Sequence, residues 1–130
     1  YLGRHSSIYE PPRRVLESIP GVTLIEMQNS RERSFCCGGG SGGPWKSGNG
    51  KEGLGEVRIR EALSTGATVI ATACPYCIRT LNESIARLGV GSKIRVHEVS
   101  ELLLQSVDLS DTSGKTGSES TRSSQEDRNV

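Results

Sequence analysis

Four cysteines lie in two pairs, Cys36-Cys37 and Cys74-Cys77, with 36 residues between Cys37 and Cys74. The first pair runs into Gly38, Gly39 and Gly40, and five of the six positions 38–43 are glycine. The second pair forms the tetrapeptide Cys-Pro-Tyr-Cys. Paired thiols of this kind serve redox chemistry or soft-metal ligation, and four readings compete. A disulfide between the adjacent Cys36 and Cys37 distorts the peptide between them and leaves the second pair without a role. Thiol–disulfide exchange at Cys74-x-x-Cys77 is the second reading, because a helix N-terminus lowers the pKa of the leading cysteine. A structural zinc held by four thiolates is the third. Cys-x-x-Cys is a normal zinc half-site, but two adjacent side chains strain to reach one small tetrahedral ion. An iron-sulfur cluster is the fourth. Its several irons let adjacent thiolates bind different metals, and a glycine run lets the backbone pass close and turn N–H groups toward the sulfurs.

The cluster accounts for both pairs and for the glycines, so it is the favoured reading. Cys-Pro-Tyr-Cys is also the tetrapeptide of glutaredoxins. Thioredoxin-like folds, however, require a proline loop downstream of that motif, and Pro75 is the last of the five prolines. Exchange chemistry also gives the Cys-Cys-Gly loop no work. The glycine run is a poor phosphate loop, because Gly50-Lys51 is followed by Glu52 where Ser or Thr is needed.

The elements that position these thiols alternate between helix and strand. "EPPRRVLESIPG" opens on proline, places Val15, Leu16 and Ile19 on one face, and stops at Pro20-Gly21. "VTLIEM" reads as a short buried strand. "EGLGEVRIREALSTG" predicts a helix closed by Gly66, and "ATVIATA" a second strand rich in β-branched residues. "PYCIRTLNESIARLG" sets Ile78, Leu81, Ile85 and Leu88 on one stripe and ends at Gly89. "KIRVH" predicts a third strand and "EVSELLLQSV" a last helix. The expected fold class is α/β, a three-layer unit with a short parallel sheet and a disordered C-terminal tail. Both cysteine pairs then lie beyond the carboxyl ends of neighbouring strands, where open α/β sheets place their sites, and they are expected to converge.

The 130 residues suffice for one domain, expected over residues 1–107. Residues 108–130 hold six Ser and three Thr, with Leu109 and Val130 as their only aliphatic residues. Such a tail lacks the apolar surface to offset its ordering entropy. A net charge of +1 from 16 basic and 15 acidic residues points to no nucleic acid and no charged membrane surface as partner. No apolar run approaches the roughly 20 residues of a membrane span, and no signal peptide opens the sequence. Clustered cysteines without a secretion signal imply a reducing, cytoplasmic setting. The sequence opens on Tyr1 rather than Met, so a fragment or processed piece is expected.

"CCGGG", the spacer and "CPYC" together resemble the cysteine-rich CCG domain. That domain occurs in the B or D subunit of heterodisulfide reductase and in iron-sulfur subunits of lactate, glycolate and glycerol-3-phosphate oxidising enzymes. "YLGRHSSIYEPPRRVLESIPGVTLIEM" and "EALSTGATVIATACPYC" are similar to the family's flanking segments, and the likeness spans residues 1–104. The family pattern has one more cysteine, directly before a Tyr-Leu-Gly-Arg-like stretch, so a fifth ligand is expected ahead of Tyr1. "PWKSGNGKEGLGE" is richer in glycine than the family pattern.

The resemblance implies a noncubane 4Fe-4S cluster held by Cys36, Cys37, Cys74 and Cys77, with Gly38 and Gly39 packed against it and zinc as the lesser alternative. It implies one part of an iron-sulfur oxidoreductase, inactive by itself, that moves electrons to or from a disulfide or 2-hydroxy-acid-linked substrate. Electrons would come from an upstream ferredoxin-type cluster domain or subunit, with a flavoprotein or membrane cytochrome subunit as a further partner. Those partners would hold the cytoplasmic domain at the inner face of the membrane. A non-catalytic zinc or partner-docking module is the alternative from another class. His5 is a weak candidate for substrate contact, lying near the position of the absent cysteine, and His97 reads as a packing or surface residue. Trp45 reads as a cover for the cluster or an anchor for its loop, and Tyr76 is expected to pack.

Overall fold

The computed structural model describes residues 2–40 and 52–107. The glycine-rich stretch 41–51 with Trp45, and the tail 108–130, lie outside the described residues. Among the described residues, five helices and two strands follow in the order α1 (Leu2–Ser6), α2 (Glu10–Glu17), a 3-10 turn (Arg31–Arg33), α3 (Leu54–Ser64), β1 (Val69–Thr72), α4 (Pro75–Leu88), β2 (Arg95–Glu98) and α5 (Val99–Ser106).

The α/β class holds. β1 and β2 pair in parallel, in a register that sets Val69 against Arg95 and Thr72 against Glu98. Parallel neighbours need a crossover, and α4 supplies it. Pro75 opens α4, where its missing N–H costs nothing. The helix closes on Gly89 in the left-handed region (φ +66°), and the Val90 N–H reaches back to the Ile85 carbonyl at 3.2 Å. Leu81 and Ile85 of the expected stripe are buried, and Ile78 and Leu88 are half-buried. α3 lies against α4. Its Glu56 caps the helix by accepting the Gly53 N–H at 3.3 Å and also pairs with Arg87 of α4 at 2.8 Å.

The core joins Ile59 and Ala62 of α3, Ile70 of β1, Leu81 and Ile85 of α4, Ile94 before β2, and Cys37. Each buried isoleucine or leucine side chain contributes about 1.5–3 kcal/mol. A thiol thus sits in the hydrophobic centre of the molecule.

Three expectations are corrected. Residues 22–27 are not a strand, and among the described residues the sheet has two strands rather than three. Val22 and Leu24 are half-buried while Thr23 and Ile25 are exposed, so the segment alternates as a strand would without joining the ladder. Arg13 of α2 holds it instead, through a bidentate ion pair with Glu26 whose second bond is 3.0 Å. Cys36-Cys37 consequently follow the 3-10 turn and no strand. Val15, expected on the packed face of α2, is exposed, while Leu16 is half-buried and Ile19, just past the helix end, is buried. The sequence also gives no warning of α1, a five-residue helix with no buried side chain.

Candidate functional site

Cys37 and Cys77 come together. Their sulfurs lie 3.2 Å apart, and both thiols are free. One residue comes from each motif, so the motifs touch through Cys37 and Cys77 across 40 positions of sequence. Cys74 caps the start of α4 in an extended conformation, φ −128° and ψ 119°. It makes no capping side-chain hydrogen bond. The backbone of Cys77 foremost, then the Cys77 thiol and the Tyr76 backbone, hold the Cys74 thiol below the ordinary thiol range, as the positive end of a helix should. Cys77 moves the other way. Burial pushes its thiol well up, and the neighbouring Cys37 thiol adds to the rise. Cys36 is exposed, because adjacent side chains cannot both enter the core that takes Cys37.

The glycines act through the backbone. The Gly38 N–H points to the Cys36 sulfur at 3.5 Å, and the Gly39 N–H to the Cys37 sulfur at 3.4 Å. Gly38 has φ +80°, which disfavours any side chain. Gly39 lies so near α4 that a Cβ there would collide with Thr80 Oγ1 and stand 3.0 Å from the Tyr76 carbonyl. The run therefore presses the cysteine loop onto the first turns of α4, which is what brings Cys37 to Cys77.

A cavity of about 150 Å³ opens beside the two sulfurs, lined among others by Phe35, Cys37, Arg58, Thr72 and Cys77. Sequence reasoning missed Phe35 and Arg58. Phe35 directly precedes the cysteines, a signal that was available. Arg58 carried none, since its place follows from how α3 packs. Arg58 donates to the Asn29 carbonyl at 3.0 Å and to Glu61 at 2.7 Å, and the Asn29 amide returns to Glu61. This network fixes the segment leading to the cysteines.

The other candidates lie apart. His5 is exposed on α1, and its neighbour Arg4 donates to the Ser34 carbonyl at 2.9 Å, which ties α1 to the approach to the cysteine loop. His97 sits half-buried on β2, with Nδ1 3.4 Å from Glu101. Tyr76 is 65% exposed, contrary to the expectation that it packs. It sits at the solvent side of the helix start and stays unpacked among the described residues. Among the described residues, no group of three or more His, Cys, Asp or Glu side chains could hold a metal ion as arranged. No helix there is long and apolar enough to cross a membrane.

A two-stranded α/β unit that draws Cys-Cys-Gly onto Cys-x-x-Cys defines a cysteine-rich redox-type domain, and similarity to known proteins gives that class its family. The chain belongs to the cysteine-rich domain family CCG, whose model matches residues 1–82. The probable iron-sulfur-binding oxidoreductase FadF of Bacillus subtilis (strain 168) is 39% identical over 107 residues, which are 82% of this chain and 15% of that protein. The D subunit of the dihydromethanophenazine:CoB–CoM heterodisulfide reductase of Methanosarcina barkeri (strain Fusaro / DSM 804) is 38% identical over 110 residues, 85% of this chain and 26% of that polypeptide. The EtfAB:quinone oxidoreductase of Syntrophomonas wolfei subsp. wolfei (strain DSM 2245B / Goettingen) is 29% identical over 115 residues, 83% and 16% respectively. The chain thus spans about a quarter or less of the length of these relatives. No solved structure matches it.

Proposed function

We propose that this chain is an iron-sulfur cluster-binding redox domain of a heterodisulfide-reductase-like oxidoreductase, with Cys36, Cys37, Cys74 and Cys77 as the thiolate ligands. The observation that carries the reading is the 3.2 Å contact between Cys37 and Cys77, which unites the two motifs at one cavity. The donor set fits the group. Thiolates are the ligands of iron-sulfur centres, and the Gly38 and Gly39 amides already face two of the four sulfurs, where they would offset cluster charge. Three donors around one ion is a zinc requirement, whereas each iron of a cluster takes its own thiolate. Adjacent thiolates such as Cys36 and Cys37 strain to reach one small tetrahedral ion, so the donor types and their spacing favour a multinuclear centre over a single zinc.

When bound, the cluster supplies one-electron transfer at a potential set by its surroundings. The chain's own residues hold it, screen one side with the apolar core around Cys37 and leave the Cys36 side open to solvent. In the proposed assembly Cys36, Cys37, Cys74 and Cys77 would hold a noncubane 4Fe-4S cluster, which would supply electron transfer to or from a disulfide or 2-hydroxy-acid-linked substrate. A ferredoxin-type cluster domain or subunit would be the electron source, with a flavoprotein or membrane cytochrome subunit as partner at the cytoplasmic side of the membrane. Relatives named as a reductase subunit and as an EtfAB:quinone oxidoreductase support a place in such a chain.

Anaerobic reconstitution with iron and sulfide tests the reading. Iron and acid-labile sulfide are expected in equal amounts, with an electron paramagnetic resonance signal on redox poising. Cys37→Ser and Cys77→Ser should each lose most of the iron. Zinc without sulfide, or iron retained by both variants, would sink the proposal.

A further inference from the structure

We propose that the metal-free domain is a dithiol that small-molecule disulfides oxidise, and that the bond formed links Cys37 to Cys77. Neither pair that the sequence presents is the one that closes. The adjacent pair Cys36-Cys37 needs a distorted peptide, and Cys36 is exposed while Cys37 is buried. Cys74 and Cys77 also interact, but Cys74 sits part-exposed at the start of α4 beside the Cys77 backbone, whereas the close sulfur contact that Cys77 makes is with Cys37. Cys37 and Cys77 face each other at 3.2 Å, so a shift of about 1.2 Å reaches the roughly 2.0 Å of an S–S bond. Their backbones are already held together. Gly39 packs against the Tyr76 carbonyl and Thr80, one residue before and three after Cys77, and Cys37 is locked in the core. The pairing is long-range in sequence and joins elements already in contact.

The step balances without further reagents. A protein thiolate attacks one sulfur of oxidised glutathione and releases one glutathione thiol. The second protein thiol then displaces the other glutathione. The Cys37–Cys77 bond forms as the glutathione S–S bond breaks, and two electrons and two protons pass from the protein thiols to oxidised glutathione, which leaves as two molecules of reduced glutathione. The pairing does not depend on the cluster reading. Its consequence does: the disulfide withdraws two of the four proposed ligands, so reduction would precede cluster loading.

The test equilibrates the reduced, metal-free full chain in glutathione redox buffers and maps the linkage by tandem mass spectrometry. The double variant Cys36→Ser/Cys74→Ser, which keeps only Cys37 and Cys77, should oxidise in the same buffers as the unchanged chain. Cys37→Ser/Cys77→Ser should need at least tenfold more oxidising buffer. In denaturant, where spacing alone decides, linkage in the unchanged chain should shift toward Cys74–Cys77. A native chain dominated by Cys74–Cys77, or a Cys36→Ser/Cys74→Ser variant that stays reduced, overturns the proposal. A chain that forms the Cys37–Cys77 bond yet takes up no iron under reducing reconstitution keeps this inference and sinks the cluster reading. A chain that loads iron and never links these two cysteines does the reverse.

Discussion

Gly39 is the residue on which the site geometry turns. Its amide faces the Cys37 sulfur, and its missing side chain lets the loop touch α4. Gly39→Ala is expected to destabilise the chain by about 1–3 kcal/mol in urea titrations, the usual cost of overpacking. Adding Thr80→Ala should recover part of that loss, since Thr80 Oγ1 is the nearer obstacle and the Tyr76 carbonyl remains. Gly40→Ala, where an added Cβ meets nothing within 4 Å, should change little by comparison. The same scale holds a pH prediction. Cys77 has its pKa raised by burial and by Cys37, so the folded chain keeps that proton after the unfolded chain has lost it. Stability from this group is complete below the ordinary thiol pKa and falls as pH rises above about 8.5. Cys74 is shifted downward and has the opposite sign, gaining stability as pH rises through the range below that value. Iodoacetamide at neutral pH should therefore label Cys74 before Cys77. Equal rates, or Cys77 first, would contradict the assigned environments.

At the scale of elements, α3 and α4 meet in a close joint. Gly55 is buried, and a Cβ there would collide with Ser84 Oγ and approach Thr80 Cγ2 at 3.3 Å. Ser84 is fully buried and satisfies its hydroxyl on the Thr80 carbonyl at 2.8 Å. Gly55→Ala should cost about 1–3 kcal/mol. The double variant with Ser84→Ala should cost less than the sum of the two single changes, a coupling of about 0.5–3 kcal/mol in a double-mutant cycle. Additive effects would mean the helices separate rather than strain. Residues 22–27 give the second test. Without a ladder, their amides should exchange with deuterium well before those of Ile70, Ala71, Val96 and His97 in the paired strands. These two sites also mark how far the sequence could be read. α2 through α5 and both true strands were legible, because each declares itself by local period and by Pro and Gly at its ends. Residues 22–27 alternate like a strand, but pairing is decided by where a sheet edge lies, which local pattern does not encode. The cysteines were legible as two paired-thiol motifs. That Cys37 meets Cys77, and that Gly39 and Gly55 are needed for close approach, depends on contacts distant in sequence.

The whole molecule is unevenly held. α1 and α2 carry no buried residue, and all the residues of the core cluster except Cys37 lie between Ile59 and Ile94. The N-terminal third is anchored by Ile19, by Met27 packed on the core, and by the Arg58–Glu61–Asn29 network. Arg58 and Glu61 keep only 15% and 9% side-chain exposure, so the pair is largely desolvated. Removing one partner of such a pair costs roughly 3 kcal/mol, because the other charge stays behind. Arg58→Ala should therefore loosen residues 2–34 ahead of the α3–β2 body. Limited proteolysis should cut that third sooner in the variant, while the fragment holding residues 54–106 persists. If cleavage instead spreads evenly through both parts, the molecule opens as one unit and the network is not its hinge. Loading with iron and sulfide offers the complementary arm. Under the proposed ligand set, Cys36 and Cys37 join Cys74 and Cys77 through the cluster, and binding to the folded state alone adds about 2.7 kcal/mol at a hundredfold excess over Kd. Because those ligands straddle the boundary between the two parts, loading should slow cleavage of the N-terminal third in the Arg58→Ala variant toward the rate of the unchanged chain. Iron uptake without that protection would place the cluster on one side of the boundary only, and would remove Cys36 and Cys37 from the ligand set.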